Sequence, residues 1–519
     1  MSGLDRRTLV ALVAMALAVF VVANDITALS VALPNIEKDF DADVSSVQWV
    51  INIYALVFGV LIVTGGRLAD MFGRRLIFFI GAAIFAFFSV LGAVAQDDLW
   101  LIVCRALMGI GGAMMWPAVL GMTYAILPDD KAGLAGGLII GAAGFGNAAG
   151  PLLGGALVEL FSWRAILWVN LPVAAVACFV TWRAVPESRA DTGREPIDYL
   201  GITTLTVGLM ALLFALDQVT EWGWTDARIL GLFALCVVLL VAFAVIERRA
   251  GSSALIPAEV MRSGQFRAAC VATLLMSATF FSMLLFLPQF FQKILGYSPL
   301  QAGAAMLPMM GIFAVVSFVA GPLYGRLGAK AIVTAGAVCL TVGTFLVSLV
   351  ERDSGWWFLV PAMIVTGTGV GLFYSSITTT AVTALDPSRT SLAGGIVYMF
   401  QVAGGAIGLG LTTTVFTTAS EDKLQSDLAG TGLSNDQIDA LHGALAGTDS
   451  AATLLARFPG GVGDRLVELV REAFAAGMQW GFRLVAALAL AGLVVSVLFV
   501  GGSLLGARAG RAPQPTAGG

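Results

Sequence analysis

The amino-acid sequence predicts an all-α integral membrane protein with fourteen transmembrane helices. The chain is 58% hydrophobic and only 12% charged, whereas about a quarter of the residues of a soluble domain are charged. Apolar runs of the roughly 20 residues that a membrane-spanning helix requires recur along the chain, separated by polar turns. Because irregular backbone cannot face lipid, these runs should be helical. They do not have the short alternating pattern of a membrane β-barrel.

The apolar runs are numbered as spans 1 to 14. The chain has 61 glycines, and small residues allow membrane helices to approach closely. The five cysteines lie in or beside the runs without the spacing of metal ligands, so we expect them to pack as small hydrophobic residues. The spans cover residues 9–33, 47–69, 76–95, 99–124, 133–157, 165–184, 200–218, 228–246, 269–291, 302–323, 331–350, 356–380, 393–417 and 479–505.

The distribution of basic residues predicts the orientation, because loops on the cytoplasmic side carry an excess of lysine and arginine. With the N-terminus in the cytoplasm, most of the 29 lysines and arginines fall in or beside inner loops, as Arg248 and Arg249 do. An even number of spans then places both termini in the cytoplasm. The expected location is the cytoplasmic membrane of the cell.

Two long polar loops on the predicted inner side divide the chain into three parts. The loops lie at 183–198 and 247–267, before span 7 and after span 8. They predict an N-terminal six-helix bundle over residues 1–186, two inserted spans over 187–250, and a C-terminal six-helix bundle over 251–519. A body of two related halves is typical of membrane transporters.

The outer loop 418–477 is the largest polar segment. Ser434, Asn435 and Asp436 resemble the start of a helix, and the stretch from Arg465 to Phe474 has helical periodicity. We therefore predict a pair of amphipathic helices that cover the outer face as a solvated hairpin.

Two charged residues inside spans are the first candidates for function. Asp25 lies in span 1, and a charged residue within a span is a functional-site hypothesis by default. At 1.5 Å per residue it lies roughly 12 Å from the outer end, while Arg105 of span 4 lies roughly 9 Å from that end. The two should meet if spans 1 and 4 are neighbours. The arginine favours the carboxylate and burial favours the neutral acid, a competition that suits proton coupling. The alternative is a static ion pair that only joins the two spans.

The turn between spans 2 and 3 carries glycines, an acid and arginines on the predicted inner face. The glycines allow a tight turn, and the aspartate is placed to accept hydrogen bonds from a neighbouring helix N-terminus or an arginine. Such a latch would hold an inner gate shut and break when the halves move. The alternative role is topology control by positive charge. The residues are Gly66, Asp70, Gly73, Arg74 and Arg75.

A third string lies in span 5. Its glycines are spaced for close helix contact, and its proline removes one backbone donor and bends the helix. A smooth, bent surface suits a tight seal beside a pathway and limits proton leakage, whereas the alternative is ordinary packing. The residues are Gly146, Gly150, Pro151, Gly154 and Gly155.

These strings resemble the signature motifs of the major facilitator superfamily. The string in span 5 resembles its antiporter motif, residues 105–113 are similar to its span-4 motif, and residues 24–34 resemble the span-1 motif of its fourteen-span drug:proton antiporter branch. Asn24 replaces the common leucine, Ser30 the common asparagine and Met108 the usual glutamine. Further strings similar to this branch are 163–164, 170–172, 287–289, 296–303 and 401–405.

The resemblance covers nearly the whole chain. It implies the major facilitator fold, in which two six-helix bundles are joined through two extra inserted spans. It also implies a multidrug efflux transporter.

Polar, methionine and aromatic residues within the spans are candidates to line a substrate cavity, because methionine and aromatic side chains suit adaptable binding of apolar ligands. The alternative for each is packing or contact with lipid. The candidates are Asn24, Asn52, Tyr54, Met108, Met115, Trp116, Phe145, Asn147, Phe281, Phe286, Gln289 and Tyr374.

The sequence contains no phosphate-binding loop of the ATPase type and no His or Cys cluster for a metal. We therefore expect no cofactor, and the proton gradient as the energy source. The net charge of −4 and the single histidine indicate no nucleic-acid partner. The expected partners are a small-molecule substrate, protons and the lipid bilayer, with the protein a monomer.

The predicted function is that of a proton-coupled antiporter, which exports hydrophobic or cationic small molecules such as drugs and antibiotics by alternating access. One alternative is an exporter of a native metabolite or lipid without fixed proton coupling. A remote alternative is a membrane enzyme or sensor built on a transporter scaffold.

Overall fold

The computed structural model describes residues 5–42, 44–128, 131–188, 198–251, 254–428, 441 and 461–501. Within these residues the secondary structure is helical. Fourteen of the described helices are long and apolar enough to cross a membrane, which confirms the predicted number of spans and the all-α membrane fold.

The helices are numbered in chain order, and α9 and α11 are short. Their bounds are α1 Arg6–Phe40, α2 Val44–Phe72, α3 Arg74–Ala93, α4 Asp98–Ile126, α5 Ala132–Leu160, α6 Arg164–Ala184, α7 Tyr199–Trp222, α8 Ala227–Ala250, α9 Ala258–Arg262, α10 Gly264–Lys293, α11 Pro299–Ala305, α12 Leu307–Leu327, α13 Ala329–Val347, α14 Trp356–Val382, α15 Thr390–Leu428 and α16 Gly461–Phe499. A single 3₁₀ turn, Pro387–Arg389, precedes α15. The face of the molecule where α1 begins is called the inner face.

Helices α1 to α6 pack together as one bundle, and α10 with α12 to α16 as another. Within the first bundle α1 packs on α4, α5 and α6, while α4 also packs on α2 and α3. Glycines allow these backbones to approach: a Cβ added at Gly111 would lie 2.6 Å from the carbonyl oxygen of Gly81. Because glycine has no side chain, the backbones of these helices can come this close.

The two bundles meet most closely in their inner halves. Helix α5 packs on α12 and α14, and α2 packs on α15. A Cβ at Gly137 of α5 would lie 2.6 Å from the carbonyl oxygen of Ser317 in α12, and one at Gly66 of α2 would lie 2.6 Å from that of Ser391 in α15. These backbone contacts leave no passage on the inner side along the two seams.

The inserted pair, α7 and α8, lies at one side of the junction between the bundles. Helix α7 packs on α2 and α15, whereas α8 packs mainly on α7. Asn52 of α2 donates a hydrogen bond to Asp217 of α7 (2.9 Å), and Trp224, just after α7, donates one to Thr414 of α15 (2.6 Å). The inserted pair thus contacts both bundles through α7.

The structure differs from the prediction for the outer loop 418–477. Residues 418–428 continue α15 and residues 461–478 belong to α16, so neither part is a separate amphipathic helix. The two extensions are held together because Phe416 packs on Phe474 with ring centroids 4.9 Å apart and Lys423 lies 3.8 Å from Glu472. The predicted helix start at 434–436 lies outside the described residues.

Span 10 also differs from its prediction, because the continuous run 302–323 is divided into α11 and α12 at Met306. Pro308 lies in the first turn of α12, and because proline has no backbone N–H, it cannot donate the helical hydrogen bond to the carbonyl oxygen of Ala304. Ser298 caps α11 with a reciprocal pair of hydrogen bonds to Gln301. This segment therefore forms a short helix followed by the span.

Candidate functional site

A central cavity and an outer cavity lie between the bundles. The central cavity of about 130 Å³ is bordered by α1, α2, α4 and α5 of one bundle and by α10, α12, α14 and α15 of the other. The outer cavity of about 330 Å³ lies between α1 and α5 on one side and α10 to α12 on the other. Only the outer one reaches the lower end of the range of ordinary ligand pockets, about 300–1,000 Å³.

The two cavities share part of their walls, namely Thr27, Asn147 and Leu284. The outer cavity extends from there to Pro34 and Gln292, near the ends of α1 and α10 opposite the inner face. Together the cavities form a path from the centre of the protein toward the outer side, while the inner halves of the bundles are in contact.

Four of the predicted cavity residues line the central cavity: Trp116, Asn147, Phe281 and Tyr374. Each bundle contributes two of them. Trp116 packs on Tyr398 with ring centroids 4.7 Å apart. Rings from both bundles therefore meet in the wall of this cavity.

The structure places the other eight candidates outside the two cavities, because their side chains project from other faces of the same helices. Asn52 faces α7, Tyr54 and Met108 contact Arg105, and Phe286 packs on Phe416 and Phe482. Phe145 is 58% exposed and packs on Phe20. The remaining three are Asn24 and Met115, which are buried, and Gln289, which is half-buried.

Sequence reasoning missed several residues of the cavity walls. In the central cavity these include Phe58, Phe313, Tyr398 and Gln401, and in the outer cavity Gln292. Gln401 lies in a string that carries the family resemblance, which was the signal available for it. The others carry no motif, and only their position on the helix shows that they face the cavity.

The predicted meeting of Asp25 and Arg105 is present in the structure. Both side chains are fully buried, and the Arg105 guanidinium donates to the Asp25 carboxylate. Asn170 of α6 donates a hydrogen bond to the other carboxylate oxygen (2.7 Å) and also lies 3.1 Å from the hydroxyl of Ser89. Asn170 belongs to the string 170–172 that carries part of the family resemblance, and no pattern in the sequence indicated its contact with Asp25.

Arg105 makes further contacts in addition to its ion pair with Asp25. Its Nε donates to the carbonyl oxygen of Val50 (2.9 Å), and its guanidinium lies 4.3 Å from the centre of the Tyr54 ring. Its Nη2 has no hydrogen-bond partner within the described residues. Because an unpaired buried donor is costly, this nitrogen is the least satisfied atom of the ion pair.

The ion pair lies behind the cavity wall. Ile26 and Thr27, next to Asp25 in α1, line the central cavity, whereas Asp25 faces α4 and α6. The ring of Phe58 lines the cavity and is stacked on Tyr54, with an angle of 5° between the ring planes. Since Tyr54 lies under Arg105, an uninterrupted series of contacts connects the cavity with the ion pair.

Asp70 joins the two bundles at the inner face. Its carboxylate accepts hydrogen bonds from Arg74 Nε (3.0 Å) and from the backbone amides of Ser391 (3.3 Å) and Leu392 (2.8 Å) at the start of α15. Both partners that the sequence suggested, an arginine and a helix N-terminus, are therefore present at once. Arg74 Nη2 also donates to the carbonyl oxygen of Pro387 (2.8 Å).

Gly73 and Arg75 belong to the same turn but contact a different segment. The φ angle of Gly73 is +119°, which favours glycine. The carboxylate of Glu187 accepts from the backbone amides of Arg75 (2.9 Å) and Leu76 (3.1 Å) and so caps α3. These contacts stay within the first bundle.

Three glycines of the string in α5, Gly146, Gly150 and Gly154, face α1. A Cβ at Gly146 would lie 2.9 Å from the carbonyl oxygen of Phe20, and one at Gly154 only 2.4 Å from that of Ala28. Pro151 lies in the wall of the outer cavity. The string therefore joins α1, which carries Asp25, to the helix that seals the junction with the second bundle.

Replacing Gly154 with alanine is expected to lower the stability of the fold. The new methyl group would push α1 away, at a cost of roughly 1–3 kcal/mol for overpacking, and should lower the midpoint of thermal denaturation in detergent by several degrees. Gly155→Ala is the matched control, because its Cβ would approach nothing closer than 3.5 Å. Equal effects of the two substitutions would contradict the role of this contact.

Comparisons with known proteins agree with the fold. A sequence model described as the Major Facilitator Superfamily matches residues 15–409. The chain is 30% identical to the tetracenomycin C resistance and export protein of Streptomyces glaucescens, over 96% of this chain and 92% of that protein. It is 35% identical to the puromycin resistance protein pur8 of Streptomyces alboniger, over 80% of this chain and 84% of the relative.

A solved structure is also similar. The human organic anion transporter MFSD10 (TETRAN) superposes with a TM-score of 0.61, covering 95% of this chain and all of that chain at 14% identity. At this level of identity the similarity concerns the fold alone.

Proposed function

The chain belongs to the major facilitator superfamily, and on this basis we propose that it exports hydrophobic small molecules of the drug or antibiotic type in exchange for protons. It is a multi-pass membrane transporter rather than an enzyme. The proposal places it in the cytoplasmic membrane with both termini in the cytoplasm. The names of its relatives, which concern tetracenomycin C and puromycin, support an antibiotic as cargo.

The observation that carries proton exchange is the position of Asp25. Its carboxylate is fully buried at the middle of the fold, and its partners are one guanidinium and one amide. An ionised group in such a place is expensive and is a functional hypothesis by default. Protonation removes the charge that holds Arg105, and deprotonation restores it, so the contacts around α1 and α4 depend on the proton.

The structure corresponds to an outward-facing state in this proposal. The Asp70 carboxylate, the start of α15 and Arg74 close the inner face, and the linked cavities lead outward. A proton taken up from the outer side by Asp25 releases Arg105, substrate leaves through the outer cavity, and the bundles then move to open the inner side. Substrate entry from the cytoplasm accompanies return of the proton to that side.

Replacing Asp25 with asparagine is expected to abolish proton-driven export while leaving the fold intact, because the amide can still accept from Arg105 but cannot titrate. The measurement uses purified protein in vesicles with an imposed pH gradient. Puromycin and tetracenomycin C serve as candidate substrates. Accumulation by Asp25→Asn should fall to that of protein-free vesicles, and the wild type should release protons when substrate is added.

Asp39→Asn is the matched control, because this carboxylate lies at the outer end of the same helix in a partly exposed pair with Arg164. It should retain transport. Undiminished gradient-driven accumulation by Asp25→Asn would exclude the coupling role. It would favour export of a native metabolite or lipid without fixed proton coupling.

A further inference from the structure

The walls of the two cavities contain no Asp, Glu, Lys, Arg or His among the described residues. Their polar groups are uncharged. They are mainly the hydroxyls of Thr27 and Ser30 and the amides of Asn147, Gln292 and Gln401. The remainder of both walls is aliphatic or aromatic.

The rings of the central cavity are largely occupied with one another. Phe58 meets Tyr398 edge to face with centroids 5.4 Å apart, and Phe280 meets Tyr374 in the same way at 6.1 Å. In an edge-to-face pair the negative face of one ring is covered by the edge of the next, which leaves less face for a cation. Of the described residues that line the outer cavity, none is aromatic.

The buried carboxylate of Asp25 does not supply the negative charge that the cavity walls lack. Asp25 is fully buried behind the wall, and its charge is already paired with Arg105. A cation entering the cavities would lose water without gaining an opposite charge, and burying an unpaired charge is strongly unfavourable. An uncharged molecule with hydrogen-bonding groups would lose little and could bind the amides and hydroxyls.

We propose that the linked cavities select uncharged, hydrogen-bonding molecules and discriminate against permanent cations. The proposal rests on the proposed export function and narrows its cargo. It differs from the expectation drawn from the sequence, which included cationic substrates as well as hydrophobic ones. Asn147 is the key position, because its amide belongs to both cavities and no formal charge stands near it in their walls.

The test is a binding measurement without any gradient, so proton coupling does not enter. The probes are quinizarin, an uncharged dihydroxyanthraquinone, and quinizarin that carries a trimethylammoniomethyl group. Each is titrated against the full-length protein in detergent, with detergent alone as the blank. The wild type should bind the uncharged probe at least about tenfold more tightly than its cationic derivative.

Asn147→Asp should reduce or reverse this preference by roughly tenfold, because it places a carboxylate in the shared wall. Gln292→Glu, in the outer cavity alone, is the second variant should Asn147→Asp fail to fold. Asn35→Asp is the matched control, since Asn35 is exposed near the outer end of α1 and outside both cavities, and it should leave the preference unchanged.

The proposal is overturned if the wild type binds the cationic probe as tightly as the uncharged one, or if it binds neither. It is also overturned if neither acidic variant changes the ratio. Selective binding of the uncharged probe by a protein that exchanges no protons would contradict only the proposed antiport, so the two failures are distinguishable.

Discussion

Arg105→Leu is expected to destabilise the folded protein by roughly 3–5 kcal/mol, the usual cost of removing one partner from a buried ion pair. The loss arises because Asp25 would keep only Asn170 as a hydrogen-bond donor (2.7 Å), and the carbonyl oxygen of Val50 would lose Arg105 Nε. The measurement is the midpoint of thermal denaturation in detergent, and the variant should also fail to transport under a proton gradient.

The double variant with Asp25→Asn and Arg105→Leu measures the interaction between the two side chains apart from the contacts that each makes with its surroundings. If the two side chains act as a unit, the double variant should lose clearly less stability than the sum of the two single variants. The exposed pair of Arg164 and Asp39 is the control, because surface pairs contribute about 0–1 kcal/mol. Additive losses at the buried pair would show that Asp25 and Arg105 are independent.

Asp70→Ala is expected to open the inner face. Without the carboxylate, Arg74 and the backbone amides of Ser391 and Leu392 lose a buried acceptor that joins the two bundles. At roughly 3 kcal/mol for a broken buried pair, the population of the inner-open state should rise about 100-fold. The same contact joins the inner ends of α2 and α15, together with the backbone packing of Gly66 against Ser391.

The measurement is the labelling rate of Ser391→Cys by a membrane-impermeant maleimide, in a protein whose five native cysteines are replaced by alanine. Ser391 is fully buried, so labelling is expected to be slow until Asp70 is replaced. Asp386→Asn is the control, because this exposed carboxylate near the start of α15 accepts, among the described residues, from the backbone amide of Ser388 in its own turn. Rapid labelling with Asp70 in place would show that the latch does not close this face.

The sequence predicted the fourteen spans because a run of about 20 apolar residues has few alternatives to a membrane helix. It also predicted that Asp25 and Arg105 lie at similar depth, because helical rise converts position in a span into depth, and left their meeting conditional on spans 1 and 4 being neighbours. The partners of Asp70 were foreseen as a choice between an arginine and a helix N-terminus. The structure shows both, since the buried carboxylate has two oxygens that each accept.

The continuation of α15 and α16 beyond the apolar runs was missed for a definite reason. An apolar run ends where the helix leaves the lipid. The helix itself continues beyond that point if side-chain contacts stabilise it. Here the contacts of Phe416 with Phe474 and of Lys423 with Glu472 supply that support. Both contacts join residues far apart in the chain, so neither is visible in a local pattern.

By itself, then, the sequence determined the fourteen membrane helices and the similar depths of Asp25 and Arg105, because both follow from distance along a single helix. Only the tertiary structure decided which side chains share a cavity and which lie behind its wall. Phe281 and Phe286 of α10 illustrate this, since Phe281 lines the central cavity whereas Phe286 packs on Phe416 and Phe482. The rotation of a helix about its axis is set by packing against its neighbours. When every face of a span is hydrophobic, its sequence does not indicate which face points to the cavity.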